Sequence, residues 1–202
     1  MEKRRGRQTP TRSVVLPYTQ TEGLKAIKLY NLGKDEAMEW QELLAYDILA
    51  FNDDGLWTHT KYGYSVPRRN GKTEIVIIRE VYGLFKGEKI LHTAHRTSTS
   101  TASWERLCKK ISEIGLVEDV DYITKKQKGM EEIIFIHGGG RISFRTRSAK
   151  GGLGEGFDLL IIDEAQEYTT DQESALQYVV SDSKNPQTIF CGTPPTAVSS
   201  GT

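Results

Sequence analysis

The sequence predicts an α/β protein whose central, mostly parallel sheet lies between two layers of helices. Short apolar runs that suit buried strands alternate along the chain with segments in which apolar residues recur at helical spacing. A Gly-Lys-Thr sequence stands where a predicted strand leads into a predicted helix, and a later apolar run ends in two adjacent acids. Because alternating strands and helices imply crossover connections, the pattern favours a parallel sheet covered on both faces.

The individual elements follow from periodicity and from turn signals. Apolar spacing predicts helices over residues 35–52, 71–86, 97–114 and about 171–183. Alternating or continuous apolar runs predict strands over residues 57–66, 89–93, 159–162 and 187–192. Residues 121–147 predict a β-hairpin excursion, because two alternating runs flank a triple glycine at residues 138–140. A glycine-rich segment, residues 150–156, is either a linker or a loop near the site.

Length and composition fit one ordinary domain. The chain has 202 residues, and its 27 basic and 27 acidic side chains cancel, so bulk charge favours no class of partner. Two cysteines are too few for a disulfide framework, and no apolar run is long enough to cross a membrane. Residues 1–20 are predicted to form a basic flexible arm. This arm is either a solvated tail or a segment that contacts DNA phosphates. Residues 21–202 then form the single domain.

The first chemical motif lies at residues 66–73, V-P-R-R-N-G-K-T. It fits the phosphate-binding loop (P-loop) pattern G-x-x-x-x-G-K-[ST], except that Val66 stands in place of the first glycine. Free N–H groups at a helix start bind phosphate, the Lys72 ammonium would reach the β- and γ-phosphates, and the Thr73 hydroxyl would ligate Mg²⁺. The alternative is an ordinary turn before a helix. The predicted nucleotide-binding residues of this loop are Pro67, Arg68, Arg69, Asn70, Gly71, Lys72 and Thr73.

The second motif is the apolar run at residues 159–162 followed by Asp163 and Glu164. A continuous apolar run suits a strand buried on both faces, and ligands of open α/β sheets bind at the carboxyl ends of such strands. Asp163 would hold Mg²⁺, and Glu164 would act as the general base toward the attacking water. The alternative is a strand followed by an acidic helix start.

With a third motif, F-C-G-T-P-P at residues 190–195, the chain resembles the N-terminal ATPase domain of tailed-bacteriophage terminase large subunits. Arginines inside the phosphate loop and a missing first glycine both suit that family. The resemblance covers about residues 35–195. It implies a three-layer α/β/α P-loop NTPase fold, with ATP as substrate and Mg²⁺ as cofactor. It also implies a function, which is to couple ATP hydrolysis to the movement of double-stranded DNA into a capsid.

The resemblance also assigns further roles, some of them to residues outside the first two motifs. Gln41 occupies the place of an adenine-contacting glutamine, the alternative being a surface helix residue. Gly192 and Thr193 correspond to a coupling motif, the alternative being a simple turn. An arginine is expected at the transition state. Arg68 or Arg69 could supply it within the same chain, and Arg147 could supply it to a neighbouring subunit. Arg141 and Arg145 are weaker candidates. The alternative for each arginine is that its charge only protects an exposed strand edge from pairing with another chain.

Partners and location follow from the same resemblance. The expected partners are double-stranded DNA, a terminase small subunit and a portal, and the chain is expected to assemble into a homo-oligomeric ring. It would act in the host cytoplasm, docked transiently on the viral procapsid, and would not contact a membrane. Terminase large subunits usually continue into a nuclease domain that these 202 residues leave no room for. We therefore expect no DNA cleavage by this chain and a possible separate nuclease polypeptide. Two alternatives remain, namely a helicase-like nucleic-acid-dependent ATPase and a remnant that binds nucleotide without hydrolysing it.

The remaining polar residues carry weaker signals. His92, His95 and His137 lack the spacing of a zinc site and are predicted to be structural or at the surface. The basic run at residues 125–128 is predicted to lie at a hairpin tip, where it would contact DNA phosphates if the protein moves DNA.

Overall fold

A computed structural model of the chain describes residues 6–147, 155–197 and 199. Its α-helices are α1 (Gly23–Tyr30), α2 (Glu39–Ile48), α3 (Lys72–Phe85), α4 (Thr97–Glu113) and α5 (Thr170–Leu176). Its strands are β1 (Gln20–Thr21), β2 (Ala50–Phe51), β3 (Lys61–Ser65), β4 (Lys89–Ala94), β5 (Tyr122–Lys125), β6 (Glu132–Phe135), β7 (Arg141–Thr146), β8 (Leu159–Asp163) and β9 (Gln187–Gly192). A 3-10 turn, Ala165–Glu167, follows β8.

The main sheet has the order β3-β9-β8-β4-β7-β6-β5. The strands from β3 to β7 run parallel, and β6 and β5 extend the sheet antiparallel. β9 therefore lies between the strand that leads into the phosphate loop and β8, the strand that ends in Asp163. The short pair β1–β2 forms a separate antiparallel ribbon.

Helices cover the two faces of this sheet unequally. Buried apolar side chains of α1 to α4 pack on one face against Ile90, Leu159 and Ile161, and α5 packs on the other against Leu160 and Ile162. Every residue of β8 is buried, as its unbroken apolar sequence predicts for a central parallel strand. The predicted three-layer α/β/α fold is confirmed.

The triple glycine does form the predicted hairpin turn, between β6 and β7. A side chain at Gly140 could not fit, because its Cβ would lie 2.0 Å from the Leu84 carbonyl oxygen at the end of α3. The hairpin is less separate than expected, since β7 pairs parallel with β4 and so belongs to the central sheet. The basic run 125–128 begins at the end of β5, where Lys125 forms an ion pair with Glu132 at 2.9 Å.

Several boundaries differ from the sequence predictions. The helix predicted over 35–52 spans only Glu39–Ile48, because the next residues pair as β2 with β1. The strand predicted from residue 57 begins at Lys61, and the last helix ends at Leu176 rather than near residue 183. Helix α1 was not predicted. Residues 1–5 of the predicted arm and most of the glycine-rich segment, 150–154, lie outside the described residues.

The later part of the predicted arm contacts the domain. The Leu16 N–H donates to His59 Nε2 at 3.1 Å, and the Tyr18 hydroxyl donates to Asp47 at 2.8 Å. No helix among the described residues has the length and apolar content needed to cross a bilayer.

A buried ion pair joins α3 to the amino-terminal side of the sheet. Arg79 is 1% exposed, donates twice to Glu88 at 2.6 and 3.0 Å, and donates to Gln187 at 2.8 Å. Its guanidinium also lies 5.0 Å from the centroid of the Trp57 ring. These contacts hold α3, β4 and β9 together at the end of the sheet opposite the phosphate loop.

Replacement of Arg79 by alanine is expected to lower the free energy of unfolding by about 3 kcal/mol, since its partners lose a buried cation. Urea denaturation followed by circular dichroism measures the change. The control is Lys109→Ala, which removes an exposed lysine that forms an i,i+4 pair with Glu113 and is expected to cost about 0.5 kcal/mol or less. Equal losses in the two variants would contradict the assignment.

Candidate nucleotide-binding site

The three sequence motifs meet at the carboxyl-terminal edge of the parallel sheet. Ser65 at the end of β3 is paired in register with Gly192 at the end of β9, and Cys191 is paired with Asp163 at the end of β8. The Val66 N–H donates to the Gly192 carbonyl at 3.1 Å, which fixes the start of the phosphate loop against β9. Ligands of open α/β sheets bind at this edge.

The phosphate loop is held by its own side chains and ends on a left-handed glycine. Asn70 Nδ2 donates to the carbonyls of Pro67 at 3.1 Å and Arg68 at 3.0 Å. Gly71 has φ +81°, a conformation that side chains disfavour, and is the N-cap of α3. Since glycine carries no capping group, the first N–H groups of α3 are left to bind an anion.

Gln41 is part of this loop's support, not a surface residue. It is 2% exposed, and its Oε1 accepts from the Met38 N–H at 2.8 Å. Its Nε2 donates to the Gly71 carbonyl at 3.0 Å, so the side chain ties the start of α2 to the loop. A Cβ on Gly71 would lie 2.9 Å from that Nε2 atom.

Asp163 connects the two principal motifs. Its buried carboxylate forms an ion pair with the Lys72 ammonium and accepts from the Glu164 N–H at 2.8 Å and the Cys191 thiol at 3.2 Å. Burial acts to raise the pKa of Asp163, but the Lys72 ammonium, the nearby His92 and the hydrogen bonds from Lys72 and Cys191 outweigh it, so the pKa lies below its usual value. Burial likewise opposes the charge of Lys72, yet the Asp163 carboxylate raises the pKa of that ammonium.

Glu164 has a backbone conformation that is rare for its residue type. It is left-handed, with φ 54° and ψ 49°, and its Oε2 accepts from the His95 N–H at 3.2 Å. Such a conformation costs about 1 to 3 kcal/mol and is concentrated at functional sites. A 3-10 turn rather than an α-helix follows, so the alternative of an acidic α-helix start does not describe this segment.

The arginine candidates occupy different environments. Arg68 and Arg69 are exposed on the phosphate loop, where Arg69 has φ +65°. Arg145 bonds to Glu132 at 2.9 Å, and Arg141 forms an ion pair with Glu155.

Arg147, expected to face a neighbouring subunit, is 6% exposed, and its guanidinium binds backbone carbonyls of its own chain. Burial lowers the pKa of Arg147 against the opposing effect of the Glu164 and Asp163 carboxylates.

The residues of the expected coupling motif contact the turn that follows Glu164. The Thr193 N–H donates to Gln166 Oε1 at 3.1 Å, and a Cβ on Gly192 would lie 3.1 Å from the same oxygen. Gln166 lies two residues after the second motif, and no signal in the sequence assigns it a role. The end of β9 is thereby bonded on one side to the phosphate loop and on the other to the turn beyond β8.

A buried Glu–His pair beneath Asp163 was also missed. His92, predicted to be structural or at the surface, is 1% exposed, and its Nδ1 lies 2.5 Å from Glu80 Oε1. Its Nε2 faces Asp163 Oδ2 at 4.0 Å. Burial raises the pKa of Glu80, and the nearby His92 opposes that effect. The sequence offers no signal for this pair, because the two residues lie on different elements.

The side chains at the site suit a magnesium ion, which takes few ligands from the protein, better than a metal whose ligands are all side chains. Among the described residues, no group of three or more His, Cys, Asp and Glu side chains is placed to hold a metal. Thr73, one residue after Lys72, and Asp163 would supply at most two ligands. Mg²⁺ typically takes one or two protein oxygens, and water and substrate phosphates complete its octahedral shell.

The strand order, the loop after β3 and the carboxylate at the end of β8 together define a P-loop NTPase fold. Solved structures of phage large terminases share it, which confirms at the level of the fold the resemblance drawn from the three motifs. No protein-family model and no curated protein matches the sequence.

Three of these structures give the extent of the similarity. The bacteriophage HK97 large terminase has a TM-score of 0.68 and 15% identity over 86% of this chain and 38% of its own. The ATPase domain of the Thermus phage P74-26 large terminase has a TM-score of 0.59 and 18% identity over 85% of this chain and 70% of its own. The large terminase of a thermophilic bacteriophage, in complex with ADP, has a TM-score of 0.54 and 12% identity over 87% of this chain and 39% of its own. This chain thus spans less than half of the first and the third of these proteins.

Gly71→Ala is expected to destabilise the fold by about 2 kcal/mol, the sum of left-handed strain and the lost Gln41 hydrogen bond. Gly55→Ala is the matched control. Gly55 has φ +76°, but a Cβ added there would have no atom within 4 Å, so only the strain of about 1 kcal/mol applies. Urea unfolding of both variants measures the difference, and indistinguishable losses would show that Gln41 does not brace the loop.

Proposed function

We propose that this chain is the ATP-hydrolysing motor domain of a viral DNA-packaging terminase and couples hydrolysis to translocation of double-stranded DNA. The observation that carries the proposal is the meeting of Lys72, from the phosphate loop, with Asp163 and its neighbour Glu164 at the end of β8. The fold supports it, since the similar structures are phage large terminases, one of them solved with ADP and with ATP-γ-S.

The phosphate loop would bind the nucleotide through backbone and side chain together. The first N–H groups of α3 would receive the phosphates, and the Lys72 ammonium would exchange the Asp163 carboxylate for β- and γ-phosphate oxygens. Thr73 and the freed Asp163 would then hold Mg²⁺, which when bound neutralises phosphate charge. Pro67, Asn70 and Gly71 would shape the loop.

Gln41 would contact the adenine with the amide N–H and the oxygen lone pair that are not used in its present hydrogen bonds. A glutamine amide has two donor N–H groups and two acceptor lone pairs. One N–H binds the Gly71 carbonyl and one lone pair accepts from Met38 N. The remaining lone pair would accept from the N6 amino group of adenine, and the remaining N–H would donate to its N7 atom. This is the pairing that Gln makes with adenine.

Hydrolysis requires a base and a positive charge at the γ-phosphate. Glu164 would take the proton from water as the water oxygen bonds to the γ-phosphorus and the bond to the β–γ bridging oxygen breaks. Arg68 or Arg69, exposed on the loop, would stabilise the developing negative charge. Gly192 and Thr193 would sense the change through Gln166 and transmit it toward bound DNA.

The wider assembly belongs to the same proposal. The domain would act in the host cytoplasm in a homo-oligomeric ring, with the small subunit and portal as partners, while docked on the procapsid.

Glu164→Gln is expected to lower kcat for phosphate release by about 10²- to 10⁴-fold, the usual contribution of a general base, while ATP still binds. Lys72→Ala is expected to weaken ATP binding itself. Phosphate release and the binding of a fluorescent ATP analogue, each with Mg²⁺ and with and without duplex DNA, separate the two effects. Glu105→Gln, an exposed position on α4, serves as the control.

The wild-type result decides between the alternatives. Wild-type protein that binds ATP but releases no phosphate at any concentration would favour a non-hydrolysing nucleotide-binding subunit. Hydrolysis stimulated by single strands, with unwinding of a duplex, would favour a helicase-like ATPase.

A further inference from the structure

Arg147 links four elements at the carboxyl edge of the sheet. It is the first residue after β7, and its N–H donates to the Ala94 carbonyl at 3.0 Å. From there its side chain crosses the end of β4 and reaches the end of β8. Its Nη1 donates to the carbonyls of Thr93, at 3.3 Å, and Asp163, and its Nη2 donates to the Glu164 carbonyl at 3.2 Å. Its Nε donates to Gln172 Oε1 on α5 at 3.2 Å.

Two of these bonds go to the peptide groups on either side of Glu164, which together set the direction of its side chain. The carbonyls of Asp163 and Glu164 both point at one guanidinium, and Glu164 between them is left-handed. A strained backbone conformation persists only where its surroundings over-determine it. Here the guanidinium supplies that constraint, because its planar, fixed donors fit several carbonyl oxygens at once.

The Glu164 carbonyl also begins the 3-10 turn after β8. It accepts from the Glu167 N–H at 2.9 Å as well as from Arg147, while the Arg147 guanidinium lies 5.6 Å from the Tyr168 ring centroid. Loss of Arg147 would therefore loosen both the conformation of Glu164 and the turn that follows it.

We propose that Arg147 is a positioning residue that acts within its own chain, holding the peptide groups on both sides of Glu164 so that the Glu164 carboxylate faces the nucleotide. The catalytic part of this assignment rests on the proposed function. It differs from the role in a neighbouring subunit that the resemblance implied, because a buried guanidinium bonded to four oxygens of its own chain is not presented to another molecule.

The kinetic test uses Arg147→Lys and Arg147→Gln, with Arg145→Gln as the matched control. Arg145 lies two residues earlier and also binds carbonyl and carboxylate oxygens, but those belong to Glu131, Phe144 and Glu132, away from β8. Both Arg147 variants are expected to lower kcat at least tenfold while the Kd for a fluorescent ATP analogue stays within about twofold. Lysine should not rescue, since an ammonium is a point charge without the planar fork.

Mixing subunits distinguishes action within the chain from action between chains. An equimolar mixture of Arg147→Gln and Glu164→Gln is expected to be no more active than the mean of the two alone. If Arg147 acted on a neighbour, Glu164→Gln subunits would supply it to intact Glu164 sites, and the mixture would exceed that mean. Such complementation would overturn the proposal.

A third measurement does not depend on hydrolysis. Hydrogen exchange in wild type and variants should show the Glu167 and Tyr168 amides exchanging at least tenfold faster in Arg147→Gln, and no change in Arg145→Gln. Should Arg147→Gln fail to fold, the milder Arg147→Lys carries the comparison. If wild type proves inactive, the proposed function fails but hydrogen exchange still decides, and unchanged protection of these amides would overturn the positioning role.

Discussion

The ion pair between the Lys72 ammonium and the Asp163 carboxylate is the interaction on which the candidate site depends. Lys72 follows β3 and Asp163 ends β8, and these strands are not neighbours, since β9 lies between them. Their side chains meet above the end of β9, where the Cys191 thiol completes the contact by donating to Asp163. The strand order therefore decides which chemical groups meet, and burial makes their pairing strong because little water screens it.

Most of the remaining contacts at the site involve backbone groups. Gln41 binds the Gly71 carbonyl, the His95 N–H binds Glu164, and Gln166 binds the Thr193 N–H. Contacts of this kind fix the path of the chain and so orient the side chains of the candidate site. Such preorganisation is the main physical means by which protein sites stabilise charge that develops during a reaction.

The sequence could predict the parts of this structure that depend on burial. The strand β9 and the helices α3 and α4 agree with prediction to within a residue, because their apolar patterns suit only one environment. Helix α1 has only eight residues, and α2 ends early because β2 follows; short elements of this kind depend on tertiary contacts that periodicity does not encode. At the site, proximity of Lys72 and Asp163 could be foreseen from the motifs. The inward direction of Arg147 could not, since its partners are carbonyl oxygens, which every residue has.

The position of β9 has a consequence for whatever follows it in the chain. The Gly192 carbonyl is bonded to the first residue of the phosphate loop, and the Thr193 amide is bonded to the turn beyond Glu164. The chain thus leaves the sheet at a point that is hydrogen-bonded to both the phosphate loop and the turn beyond Glu164. A small movement of the phosphate loop relative to the turn beyond Glu164 would rotate the backbone at Gly192 and Thr193. The displacement that such a rotation causes grows with distance along a rigid attachment. Any element packed rigidly after Thr193 would therefore be displaced further than Thr193 itself.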